Sequence, residues 1–232
     1  MSRASGRTER AARRAERSGS GPVRSGGAPA RFPGATSAFS LLGEVLLVGV
    51  LVTLASIPIV TLPAALAAGV RHLRRYLLAE GSRLGEFWAD LRAGLLGGIG
   101  VGAASVVVAL VLLLDIDLAT SGALPGGPIV AAVGWLGLAA IALVLLTAAG
   151  LWRPQLGWLG ALRAVPRAVA ADPVGAAYLL AAAGFAVVVT WQLFPLLVAA
   201  LGCVALAIVA VPNRPRRHRH GLGTDRAEPP RT

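Results

Sequence analysis

Apolar runs long enough to enter or cross a bilayer alternate with short polar connectors along this chain. The first run, Ala38 to Val70, is 33 residues, long for one crossing and short for two. Pro58 and Pro63 divide it within Ser56-Ile-Pro-Ile-Val-Thr-Leu-Pro63, and proline breaks a helix by removing a donor and clashing with the preceding turn. From Ala64 to Tyr76 the pattern reads as helix again. Gly94 to Leu114 is about one span, since a hydrocarbon core of roughly 30 Å takes about 20 helical residues to cross. It carries Gly97, Gly98, Gly100, Gly102 and Ala104, small residues that let helices approach closely. Pro128 to Leu151 is another span. Pro173 to Val189 and Trp191 to Val211 form a tight pair joined around Thr190-Trp191-Gln192. The pattern predicts an all-α, polytopic helical membrane bundle of five to six membrane segments, the first broken by prolines.

The flanks differ in kind. Residues 1–37 are Arg, Ser, Gly, Ala and Pro without apolar periodicity, a composition that cannot offset its ordering entropy and is expected to be disordered. Within them, residues 7–17 are suited to a transient helix at an anionic membrane surface. The expected organisation is an Arg-rich tail over 1–37, a transmembrane domain over 38–212 and a disordered basic tail over 213–232.

Charge orders these pieces. Arginines number eight in the N-terminal tail, five between Arg71 and Arg92, three between Leu151 and Asp172, and six after Pro212. The connector from Asp115 to Gly127 and the one at Thr190 have none. Arginine in short loops orients helices toward the cytoplasm, which puts both termini and the basic connectors inside a cell membrane. Residues 38–70 must then leave and return as a hairpin or re-entrant pair hinged near Pro58 and Pro63. The rival is a five-span form with the N-terminal tail outside, against all eight of its arginines. A cleaved signal peptide ending near Ala64 to Ala68 is rejected, because it would place Arg71 to Arg92 on the wrong side.

Composition narrows the class further. The 232 residues are 56% hydrophobic and only 14% charged, with a mean hydropathy of +0.71, where a soluble domain is about 25% charged. The formal net charge of +11 raises nucleic acid as a partner, but no basic face with interleaved aromatics exists to bind it. All 22 basic residues are arginine, which fits a GC-rich coding bias and a topology signal, so no nucleic-acid partner is expected. Cys203, the single cysteine, has no disulfide partner in the chain and no ligand cluster around it. It is read as a small residue packed between helices.

Few residues suggest chemistry. Glu44 is an acid inside an apolar run, and intramembrane acids are functional suspects. It is read as an interfacial anchor that reaches the surface or holds a connector arginine, with a proton or substrate site as the sharper alternative. Asp115 and Asp117 end a span; at i, i+2 they do not share a helical face, so a hydrated helix end is preferred over a catalytic or metal pair. His72, His218 and His220 lie in basic segments that oppose a cation. No nucleophile elbow, Walker loop, zinc motif or dinucleotide fingerprint is present; neither an enzyme nor a cofactor is expected. Phe87 and Trp88, and the amphipathic stretch Leu156 to Ala171, read as helices in the membrane interface anchored by Trp88, Trp152 and Trp158. A partner-docking surface is the alternative.

The stretch from Ser56 to Arg75 with its Pro58, Thr61 and Pro63, and the Phe87-Trp88 pair, resemble the YesL family of bacterial membrane proteins. So do Leu114-Asp-Ile-Asp-Leu118, Ala161-Leu-Arg-Ala-Val-Pro-Arg167 and Phe194-Pro195. The likeness covers roughly residues 38–212. The chain departs from it at Pro63-Ala-Ala, where the family reads Pro-Ala-Thr, and in its long tails. The resemblance implies an accessory role beside a carbohydrate ABC-type uptake system, with permease subunits as partners, and brings no catalytic residues. A small autonomous transporter or channel is the runner-up. It needs a polar path, for which the interior offers Glu44, Thr53, Ser56, Thr61, Ser105 and Thr147; Pro195 opens the last span.

Overall fold

The computed structural model describes residues 38–80, 83–122 and 126–213. The tails expected over 1–37 and 213–232 lie outside the described residues, except Asn213, which ends the last 3₁₀ turn. Among the described residues every regular element is helical. Seven α-helices follow in order: α1 (Ala38–Ala55), α2 (Leu62–Leu77), α3 (Leu84–Thr120), α4 (Gly127–Leu151), α5 (Gly157–Ala171), α6 (Pro173–Gln192) and α7 (Leu197–Ala210). Short 3₁₀ turns occupy Ile59–Thr61, Phe194–Leu196 and Val211–Asn213. Three helices, α3, α4 and α6, are long and apolar enough to cross a membrane, while Phe39–Ala55 and Leu197–Asn213 are shorter apolar helices.

The surface of this bundle is apolar. Leu96 is 88% exposed, Ile129 73% and Leu136 70%, and only 11% of the most apolar window in each long helix is buried. Exposed apolar area on that scale marks a surface that something other than water covers, and lipid is the solvent that fits. What is buried between helices is small. Gly49 of α1 and Gly202 of α7 face the carbonyls of Val198 and Val45, with no room for a Cβ at either. Close backbone approach of this kind replaces the hydrophobic drive that lipid removes.

Prolines start helices here. Pro63 enters the first turn of α2, Pro128 that of α4 and Pro173 that of α6, positions where the missing N–H is not needed. At α6 the Asp172 carboxylate also accepts from the Gly175 N–H at 2.9 Å, a side-chain cap. Pro58 ends the preceding segment, so the first apolar run is two antiparallel helices with a turn over residues 56–61. The turn lies against Gly102, midway along α3.

The structure departs from the sequence reading at several points. Helix α6 runs through Thr190, Trp191 and Gln192, so the turn into α7 falls at residues 193–196. Residues 84–92 are the first turns of the 37-residue α3 rather than a separate interfacial helix, because neither glycine nor proline interrupts the run from Glu86 to Ala93. Trp152 and Trp158 are 2% and 6% exposed and therefore pack inside instead of anchoring in the interface. Cys203 points outward; Gly202 takes the packed position beside it.

Candidate functional site

The charged residues of α2 and α3 meet at one end of the bundle. Arg71 and Arg75, one turn apart, face Glu86 and Asp90, also one turn apart, because residues four apart share a helical face. Asp90 Oδ2 accepts from Arg71 Nε at 3.0 Å and from Arg75 Nη2 at 2.6 Å. Arg75 Nε lies 3.3 Å from Glu86 Oε2. Asp90 is buried, so this bolt holds its charges where unpaired ones would be costly.

Beside it, His72 Nε2 lies 2.8 Å from Glu44 Oε1, joining α2 to α1. With Glu44 ionised, the His72 Nε2–H is the donor. The side chains are 1% and 15% exposed, and the ring of His72 stands edge-on to Phe87 at 6.4 Å. His72 Nδ1 is enclosed without a partner. Glu44 thus engages a histidine, where the sequence reading expected the surface or a connector arginine.

The indoles complete this end. The Trp158 Nε1–H donates to the Gly94 carbonyl at 2.7 Å, tying α5 to α3. Trp152 packs on Gly94 and lies 5.8 Å beneath the Arg71 guanidinium. Such cation–π contacts are worth about 0.5–1 kcal/mol at exposed sites. Arg71, Arg74, Arg75, Leu78, Glu80, Trp152 and Arg153 line a cavity of ≈190 Å³. Arg74 sits past the apolar part of α2, outside the three long spans. Burial, then Arg153 and Arg71 close by, hold its guanidinium pKa below the ordinary arginine value.

The remaining sequence candidates are dispersed. Asp115 and Asp117 are exposed at the far end of α3, and Pro195 is exposed in the turn before α7. Among the described residues, no three His, Cys, Asp or Glu side chains gather as a metal site. Thr61 is central to the α1–α2 turn: its hydroxyl lies 2.6 Å from the Ala55 carbonyl and 2.7 Å from that of Pro58. In lipid every backbone polar group needs an internal partner. Thr61→Val is therefore expected to cost about 1–2 kcal/mol in a denaturant titration of the micellar protein, with Thr61→Ser close to wild type. Equal stability of the valine variant would remove the hydroxyl from this role.

No family model, curated protein or solved structure matches this chain. The likeness to the YesL family therefore rests on its residues alone. The sequence reading missed Asp90, Arg71, Arg75 and the Arg74–Arg153 cavity as a site. The available signal was the pairing of two i, i+4 doublets of opposite charge on consecutive helices.

Proposed function

We propose that this chain is a non-enzymatic, multi-span cell-membrane protein that acts as an accessory or interaction subunit. The YesL resemblance implies a carbohydrate ABC-type importer as its partner. The observation that carries the reading is how the polar groups are spent. Glu44 and His72 hold each other, Thr53 and Ser105 donate to the carbonyls of Gly49 and Val101 in their own helices, and Thr61 closes its turn. Four of the six interior polar residues are thus engaged within the scaffold. The hydroxyls of Ser56 and Thr147 are enclosed without a partner among the described residues and are too few to line a path for a polar solute.

In this reading the basic end is cytoplasmic, as the positive-inside rule requires, and there are six membrane segments. Helices α3, α4, α6 and α7 cross, and α1 with α2 forms a re-entrant hairpin. Ten residues separate Thr61 from Arg71, a rise of about 15 Å, half of the roughly 30 Å core. With Arg71 at the interface, the Pro58 turn stands near mid-bilayer.

The second reading, a small autonomous transporter, is favoured by the buried Glu44–His72 pair, since an enclosed acid with a basic partner is a common proton-relay element. A mild-detergent purification of the intact chain from its own membranes, with co-purifying proteins identified by mass spectrometry, separates the two. Stoichiometric importer permease subunits are expected. Recovery of the chain alone, as a defined monomer or homo-oligomer, would overturn the accessory reading and direct work to Glu44→Gln.

A further inference from the structure

The geometry points to a phosphoryl-binding site in the cavity between the C-terminal ends of α2 and α4, formed by Arg74 and Arg153. Four of its seven lining residues are arginines, against one acid, Glu80. The two acids that neutralise Arg71 and Arg75, Asp90 and Glu86, are not among the lining residues. Among the described residues neither Arg74 nor Arg153 forms an ion pair within 4.0 Å. Arg75 Nη1 is enclosed with no acceptor and lies behind this wall, out of reach of the cavity. Two guanidinium groups without an acid partner, Arg74 and Arg153, therefore border one space beside the paired Arg71 and Arg75.

The chemistry of the ligand follows. Guanidinium forks match the paired oxygens of a phosphate. The cavity, ≈190 Å³, holds a phosphoryl group with waters, each of which takes about 30 Å³. Trp152 and Leu78 form its apolar part, as suits a headgroup entering from an interface. The helix C-termini contribute partial negative charge that opposes an anion. Yet four arginines against one acid line the space, and burial first, then Arg153 and Arg71, hold the Arg74 pKa below the ordinary arginine value. Basic pockets between membrane helices at the cytoplasmic face are suited to anionic lipid headgroups, and free phosphate shares the same chemistry. This inference does not depend on the accessory reading.

The test uses the full chain in phosphatidylcholine nanodiscs, titrated in separate arms with a short-chain phosphatidic acid and with inorganic phosphate. Short-chain phosphatidylcholine is the control. Saturable binding of one or both probes is expected, weakened about five- to tenfold by Arg153→Gln and by Arg74→Gln. Arg153 is exposed, so its replacement leaves no buried group unpaired and remains informative if the Arg74 variant fails to fold. Phosphatidic acid binding that phosphate does not displace identifies a lipid headgroup as the source; phosphate binding with the same arginine dependence identifies the soluble anion. Absence of saturable binding by both probes, or affinity unchanged in every variant that folds, would overturn the site.

Discussion

Replacing Asp90 with alanine is expected to be the most destabilising single change at the basic end, at about 3 kcal/mol. Removing one partner of a buried ion pair costs about 3–5 kcal/mol, because the other charge is left behind uncompensated. Here two guanidinium groups lose their acceptor together, since Arg71 and Arg75 both converge on Asp90 Oδ2. The low end of the range applies because those arginines are 24% and 20% exposed and solvent softens their loss. Glu86 stays beside Arg75 and offsets part of the damage. Reversible denaturation in mixed micelles gives the measurement. The double variant Asp90→Leu with Arg75→Met should recover part of the loss by replacing charge with packing. A change below about 0.5 kcal/mol for Asp90→Ala, the ordinary range for a surface substitution, would mean that the cluster does not bolt α2 to α3.

The bolt also shows where the sequence was legible. Apolar run length located α4 and α6 to within a few residues, because a helix in lipid must satisfy its own backbone and little else shapes it. The prolines located the break between α1 and α2 for the same local reason. What stayed hidden was lateral. Glu44 and His72 are 28 positions apart, and nothing in either segment says which faces turn toward each other. The two charged doublets, Arg71 with Arg75 and Glu86 with Asp90, were readable as helical faces. Joining them needs α2 and α3 to run antiparallel in one register, which the connector length permits but does not dictate. The tryptophans show the opposite failure. Interface anchoring is the common role of membrane tryptophan, and only the room above Gly94 and Gly97 makes Trp152 and Trp158 internal. A glycine-rich stretch reads as a helix contact without naming what fills it, and here indoles fill part of it.

Gly102→Val is expected to displace the α1–α2 turn from the bundle. Three observations converge on this position. Gly102 is the midpoint of α3, it is buried, and a Cβ there collides with the Val60 carbonyl and backbone rather than with a side chain that can swing away. Overpacking a tight contact costs about 1–3 kcal/mol, and backbone that cannot yield puts this site at the upper end. The displaced turn also loses its lateral support for carbonyls that sit far from water. Accessibility supplies the readout. With Cys203→Ser as background, a cysteine at Ile59, which is 69% exposed in the bundle, should resist a membrane-impermeant maleimide from both sides if the turn stands in the bilayer interior. A cysteine at Ser121 should react from the non-cytoplasmic side only. Adding Gly102→Val should loosen the turn and lower stability without changing the Ser121 result. Rapid labelling at position 59 from the non-cytoplasmic side in the parent protein would convert the re-entrant hairpin into a full pair of crossings. A Gly102→Val variant as stable as the parent would show that the turn does not rest on α3 at all.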